Sequence, residues 1–131
     1  MTRSFFYKTV SDKHREVYET VRAANEAAIA KVKPGVPLME LDLTARNLIK
    51  DKGYGPYFTH RLGHFIGLSC HEYGDVSCVN ATKAVSGMIF SIEPGIYLEG
   101  DVGVRVEDLV LVTEDGCEVL NHHTKELEII G

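Results

Sequence analysis

The chain has 131 residues, 44% hydrophobic and 25% charged, a composition typical of one soluble globular domain rather than a disordered or fibrous protein. Its 14 basic and 19 acidic residues give a net charge of −5 with no basic cluster, which argues against a nucleic-acid partner. No apolar stretch approaches the roughly 20 residues that cross a bilayer, and the N-terminus lacks signal-peptide features. We therefore expect a cytoplasmic protein with no membrane partner.

The first elements in chain order are a strand and two helices. Residues 3–10 alternate loosely and are rich in aromatic side chains, which predicts a strand. Ser11 suits a helix N-cap, and apolar residues then recur at helical spacing up to Lys33 and the Pro34-Gly35 stop. A second helix is predicted from Pro37 to Gly53. The charged face of this helix comprises Glu40, Asp42, Arg46 and Lys50. We expect this face to be a solvated surface, with a subunit contact as the alternative.

From Gly53 onward the sequence changes to short apolar runs punctuated by glycine, a pattern typical of strands whose ends and turns build a site. Strands are predicted over Met88–Ile92, Ile96–Leu98, Val102–Val112 and Cys117–Leu120. The predicted fold class is therefore α+β, with a curved antiparallel sheet backed by helices.

The three cysteines are Cys70, Cys78 and Cys117, and no C-x-x-C pair occurs among them. This odd count argues against both a disulfide framework and a zinc knuckle, so we expect free thiols. Cys70 lies beside His71, where either a reactive thiol or a small buried residue in a Gly-rich loop is consistent with the sequence. The buried residue is the favoured interpretation.

Four candidate functional residues, His64, His71, Glu93 and Glu107, stand in the runs HRLGHFIGLSCHE, SIEPGIY and GVRVEDLVLV. Imidazole and carboxylate together suit a divalent ion such as manganese, zinc, cobalt or iron, and carboxylates can bridge two ions in a hydrolytic site. The pattern therefore favours metal-assisted hydrolysis. For His64 alone, a core histidine satisfied by hydrogen bonds is the alternative.

The local context of the two glutamates supports the same interpretation. Glu93 ends an apolar strand at a Pro-Gly turn, where a cation would offset the cost of burying a carboxylate. Around Glu107, strand alternation puts Val104 and Val106 on one face of the strand. Arg105 and Glu107 lie on the other face, and we expect that charged face to look into the site. The alternatives are an exposed glutamate at a turn and a structural ion pair on a sheet face.

Taken in order, the three runs resemble the C-terminal half of the catalytic domain of the pita-bread (creatinase/aminopeptidase-like) metallopeptidases. The closest resemblance is to the proline-specific branch, aminopeptidase P and Xaa-Pro dipeptidase (prolidase). It extends from Thr2-Arg3-Ser4-Phe5, through Lys33-Pro34-Gly35-Val36, to the strand around Glu107. It implies hydrolysis of short peptides with proline at the second position, a cofactor of two divalent ions in the intact family site (manganese first, then cobalt, zinc or iron), and a chain that could form a homo-oligomer.

The resemblance also implies a role for each residue that matches a family motif. His64, Glu93 and Glu107 correspond to metal ligands, of which Glu93 also serves as general base and Glu107 bridges the two ions. In the family, two aspartate ligands lie upstream of the strand that matches residues 2–5, and here only Met1 precedes that strand. The resemblance therefore predicts a partial catalytic domain over residues 1–131 that binds one ion weakly or none and is inactive alone.

Four further residues match family positions that do not bind metal. His71 and His60 correspond to histidines that contact the substrate and stabilise the tetrahedral intermediate. Arg105 corresponds to an arginine that orients the ligands, and Tyr97 to a tyrosine that joins it in a hydrogen-bond chain to one of the aspartates. For Tyr97, an ordinary half-buried tyrosine is the alternative.

Three alternatives remain open at the level of the sequence. A non-enzymatic pita-bread remnant or binding module would explain the missing aspartates. Methionine aminopeptidase has a similar Gly-His-x-Ile-Gly run, but the spacing of His60 and His64 and the His71-Glu72 pair favour the proline-specific branch. Metal-free creatinase-like amidinohydrolases are disfavoured by Glu93 and Glu107.

Overall fold

The computed structural model describes residues 1–131 and confirms the predicted α+β class. The two helices are α1 (Asp12–Ile29) and α2 (Leu38–Asp51), followed by a 3-10 turn at Gly55–Tyr57. The strands are β1 (Phe5–Tyr7), β2 (Gly63–Phe65), β3 (Glu72–Val76), β4 (Ile89–Ile92), β5 (Gly95–Leu98), β6 (Val102–Arg105), β7 (Asp108–Val112), β8 (Cys117–Val119) and β9 (Glu128–Ile130).

The strands form one antiparallel sheet of five strands and two smaller pairs. The central sheet has the order β3-β2-β4-β7-β8, β5 and β6 form a hairpin, and β1 pairs in parallel with β9. A single cluster of 21 buried apolar residues joins the helices to the strands. Neither helix combines the length and the apolar character that crossing a membrane would require.

Helix α1 begins where the sequence predicts, because the Ser11 hydroxyl accepts a hydrogen bond from the backbone N–H of His14 at 3.1 Å. It ends at Ile29, however, and not near Lys33 as predicted. The N–H groups of Lys31 and Val32 bond to carbonyls only three residues back, which tightens the chain into a turn before the Pro34-Gly35 stop.

Helix α2 begins at Leu38, so Pro37 is its N-cap rather than its first-turn residue. The prediction that its charged face is a solvated surface is wrong at Asp42, which is fully buried. This carboxylate accepts hydrogen bonds from Arg46 Nε at 2.7 Å and from the backbone N–H of Leu62 at 2.9 Å. Asp42 therefore attaches α2 to the segment that leads into β2.

The predicted strand Val102–Val112 is two strands in two different sheets, β6 and β7. Between them, Val106 N–H donates to the carbonyl of Pro94 at 3.4 Å and Glu107 N–H to the carbonyl of Thr2 at 3.0 Å, so the chain leaves the hairpin before it enters the central sheet. At Glu93-Pro94, between β4 and β5, the chain passes in the opposite direction, from the central sheet into the hairpin. Both glutamates therefore lie where the chain passes between the same two sheets.

The predicted strand at residues 3–10 is shorter, because Lys8 adopts a φ of 63° and ends the extended conformation after Tyr7. Its pairing with β9 was not predicted, since β9 comes from the end of the chain and carries no turn signal. The other three predicted strands, Met88–Ile92, Ile96–Leu98 and Cys117–Leu120, agree with β4, β5 and β8 to within one residue at each end.

Candidate metal centre

The structure brings His64, Glu93 and Glu107 together, with one ligand atom from each within 4.8 Å of the others. His64 lies on β2, Glu93 directly follows β4, and Glu107 directly precedes β7. Their side chains are largely buried, with 7%, 14% and 13% of their surface exposed. Three distant sequence positions therefore form one cluster of an imidazole and two carboxylates.

Strand pairing explains why these positions meet. In the antiparallel pairing of β4 with β7, Ile92 lies opposite Asp108, so the next positions, Glu93 and Glu107, continue as neighbours. On its other side β4 pairs with β2, where Gly63 allows very close approach: a Cβ atom there would lie 1.8 Å from the carbonyl oxygen of Ser91. That approach brings His64 beside Glu93.

The ring of His64 is oriented for binding through Nε2. Its Nδ1 lies 3.0 Å from the carbonyl oxygen of Phe65, which can only accept, so Nε2 is the ring nitrogen left to bind an ion. Nε2 lies 3.3 Å from Oε1 of Glu93. An imidazole whose Nδ1 is held by a carbonyl and whose Nε2 lies beside a carboxylate is an arrangement that suits a divalent cation.

Ser91 links the first two ligands and was not predicted from the sequence. Its buried hydroxyl donates to Glu93 Oε1 at 2.9 Å and accepts from the backbone N–H of His64 at 2.9 Å. A signal was available, because Ser91 precedes Glu93 by two positions and strand alternation puts both side chains on one face. Ser91 thus fixes the carboxylate of Glu93 relative to β2.

The third ligand position is surrounded by the first residues of the chain. Glu107 Oε2 accepts a hydrogen bond from the Thr2 hydroxyl at 2.5 Å and lies 3.6 Å from the N-terminal amine of Met1. The guanidinium of Arg105 approaches the other glutamate, with 4.0 Å between its Nη1 and Glu93 Oε2. Thus Arg105 lies beside the carboxylate of Glu93, and its role in orienting the ligands stays a prediction.

The two predicted accessory histidines lie in two different places. The ring of His71 is exposed and lies 4.1 Å, centroid to centroid, from the ring of His64. The ring of His60 contacts Tyr97, with Nε2 2.8 Å from the hydroxyl of that tyrosine. Burial raises the pKa of Tyr97 more than the nearby Arg105 lowers it, so the phenol stays protonated near neutral pH and can donate to His60.

The expectation that Cys70 is a buried residue is wrong, because Cys70 is exposed. It lies in the loop between β2 and β3, which projects from the sheet: Leu68 in the same loop is also fully exposed, and Gly67 N–H bonds within the loop to the carbonyl of Ser69. The other two cysteines are partly buried, and all three are free thiols as predicted.

Residues 1–114 match the family described as metallopeptidase family M24. The chain belongs to metallopeptidase family M24. Among the relatives of this M24 chain, an uncharacterized peptidase of Staphylococcus aureus strain MRSA252 is 50% identical over 125 residues, which cover 95% of this chain and 36% of the relative.

Solved structures agree with this family and with the predicted pita-bread relationship. Dipeptidase PepE from Mycobacterium ulcerans superimposes with a TM-score of 0.95 at 40% identity, covering 98% of the M24 chain and 34% of that structure. An Xaa-Pro dipeptidase from Bacillus anthracis gives the same TM-score of 0.95 and 40% identity, covering 98% of this chain and 36% of the other. The M24 chain thus spans about a third of the length of the relatives that it matches.

The family implies a divalent metal, and the residues of this M24 chain fit one. The cluster offers one imidazole nitrogen and two carboxylates from a largely buried position, and nitrogen and oxygen donors of this kind suit manganese, iron, cobalt and zinc. Without a cation, two carboxylates held this close in partial burial would repel each other. A bound cation would remove that repulsion.

Proposed function

We propose that this chain forms part of a metal-dependent peptidase that cleaves the bond between an N-terminal residue and proline in short peptides. The observation that carries the proposal is the convergence of His64, Glu93 and Glu107 in a chain of family M24. The Xaa-Pro dipeptidase among the similar structures supports the substrate class. Manganese is the proposed metal and the cytoplasm the proposed location.

A metal ion held by His64, Glu93 and Glu107 would polarise the scissile carbonyl and lower the pKa of water. The residues of this chain have separate tasks. Glu93, held by Ser91, accepts a proton as general base. Two histidines contact the substrate and its developing negative charge. One is His71, whose exposed ring lies against His64, and the other is His60, which is held by Tyr97. Arg105 orients the carboxylate of Glu93.

The 131 residues alone supply three converging ligands, whereas the family resemblance implies five for a pair of ions. We propose that this polypeptide by itself binds one ion weakly and does not hydrolyse Xaa-Pro bonds. The test is an assay on Ala-Pro and Leu-Pro with added manganese, beside the full-length Xaa-Pro dipeptidase from Bacillus anthracis. Turnover by the isolated chain at the rate of that enzyme would contradict the proposal.

A chimaera tests the proposed roles directly. This chain would replace the matching third of the Bacillus anthracis dipeptidase, which it superimposes on with a TM-score of 0.95. We expect the chimaera to hydrolyse Leu-Pro with manganese, and His64→Ala to abolish the activity. The exposed His122 serves as control, because His122→Ala removes an imidazole outside the cluster and leaves activity intact. Equal activity of the two variants would reject the proposed site.

A folded chimaera that neither binds manganese nor hydrolyses peptides would favour the alternative, a non-enzymatic binding module. Circular dichroism and gel filtration would establish folding before that conclusion. The same chimaera, compared on Leu-Pro and Leu-Gly, measures whether proline is preferred at the second position.

A further inference from the structure

We propose that Asn25 of α1 is a positioning residue for the metal centre, fixing the backbone directly before Glu93 and Glu107 at the same time. This inference rests on the proposed function, since it assigns a support to the same site. No motif in the sequence marks Asn25, which stands on the apolar face of the helix between Val21 and Ala28.

The contacts of Asn25 are specific to the two ligand segments. Its side chain is fully buried, and Nδ2 donates to the carbonyl oxygen of Ile92 at 3.1 Å and to that of Val106 at 3.4 Å. Ile92 and Val106 directly precede Glu93 and Glu107. A primary amide has two N–H donors on one nitrogen, so one side chain can bind both carbonyls. Asn25 therefore joins the two points at which the chain crosses between the sheets.

A second contact fixes which way the amide faces. Lys125 Nζ, which can only donate, lies 2.8 Å from Asn25 Oδ1, so the amide nitrogen must face the two carbonyls. Lys125 is itself held by the buried carboxylate of Asp108 at 2.7 Å. Asp108 also accepts a hydrogen bond from Arg3 at 2.6 Å. Through Asp108 and Lys125, residues near both ends of the polypeptide therefore support Asn25, which binds the backbone before Glu93 and Glu107.

Metal sites tolerate ligand displacements of only about 0.2 Å, so small backbone movements at these two carbonyls would disturb both carboxylates. Residues that hydrogen-bond to metal ligands directly typically change metal affinity by about 10- to 100-fold when they are replaced, and Asn25 acts one residue away, so we expect an effect at the lower end of that range. A purely structural asparagine would instead lower the stability of the whole chain and leave the relative placement of the two glutamates unchanged.

The experiment compares Asn25→Leu with Val17→Ala, a cavity variant at a fully buried position of the same helix. The first readout is native-state hydrogen exchange at the amides of Glu93 and Glu107, which bond to the carbonyls of Leu62 at 2.8 Å and Thr2 at 3.0 Å. The second is manganese affinity of the whole chain. We expect Asn25→Leu to accelerate exchange at these two amides about tenfold more than in the rest of the sheet, and to weaken manganese binding about tenfold.

Val17→Ala should accelerate exchange evenly and leave the affinity unchanged. An even acceleration in Asn25→Leu, like that of the control, would overturn the inference. If Asn25→Leu does not fold, Lys125→Met decides the matter, because it leaves Asn25 in place and removes the contact that orients its amide. This variant also removes the ion pair with Asp108, which is adjacent to Glu107, so the readout is the amide of Glu93, where exchange should accelerate at smaller amplitude than in Asn25→Leu. A wild-type chain that binds no manganese would reject the proposed single-ion binding by the isolated chain, while the exchange pattern would still decide the role of Asn25.

Discussion

Replacing Ser91 with alanine removes a hydroxyl that hydrogen-bonds both to the backbone of His64 and to the carboxylate of Glu93. Its hydroxyl makes two hydrogen bonds of 2.9 Å inside a fully buried position. Its loss leaves the backbone N–H of His64 without a partner, which costs about 1–3 kcal/mol. Since alanine fits the same space, we expect the free energy of unfolding to fall by about 2 kcal/mol.

The same substitution should weaken manganese binding, because Glu93 loses the donor that orients it. An affinity about tenfold lower is typical for loss of such a contact. At a metal concentration 100 times the wild-type dissociation constant, the stabilisation by manganese should then fall from about 2.7 to about 1.4 kcal/mol. Urea unfolding of both proteins, with manganese and with chelator, measures the two effects separately.

Ser77→Ala is the matched control. Ser77 is also buried, at 8% exposure, but its hydroxyl donates to Asp75 at 3.0 Å and touches no ligand. The Ser77→Ala variant should have a lower free energy of unfolding than the wild type, but manganese should stabilise both proteins by the same amount. If manganese stabilises Ser91→Ala as much as it stabilises the wild type, the reasoning about Ser91 is refuted.

Two further predictions concern packing and thiol reactivity. Gly63→Ala would place a Cβ atom 1.8 Å from a backbone oxygen and should lower the free energy of unfolding by about 3 kcal/mol. At the control position Gly116, the nearest atom to an added Cβ is 4.0 Å away, so Gly116→Ala should change that free energy by less than about 0.5 kcal/mol. Urea unfolding measures both. Burial raises the pKa of Cys117, so less of its reactive thiolate exists at a given pH and its alkylation should be slow near neutral pH. Exposed Cys70 should react first at pH 8 by mass spectrometry, and equal rates would contradict this account.

Local signals in the sequence were sufficient to predict that both helices exist, and the family resemblance of three motifs pointed to the clustered residues. Ser11 marked the start of α1, and alternation correctly assigned Val104 and Val106 to the core and Arg105 and Glu107 to the other face. Alternation could not show the break between β6 and β7, because it comes from backbone bonds to residues near Thr2 and Pro94.

The supports of the site depended on the tertiary fold. Asp42 looked like a surface residue because its partner across the fold, the N–H of Leu62, is a backbone group that no side-chain pattern reveals. Asn25 bonds to two carbonyls, which are equally invisible in the sequence. Sequence reasoning therefore found the candidate ligands through their motifs and missed the residues that hold them.

The central claim is that one imidazole and two carboxylates together hold a divalent cation. Manganese binding followed by electron paramagnetic resonance, on the whole chain and on two variants of equal charge change, tests it most directly. Glu93→Gln alters the cluster, whereas Glu118→Gln alters an exposed residue on β8. We predict one bound ion in the wild type and in Glu118→Gln and none in Glu93→Gln; equal binding by both variants would contradict the account.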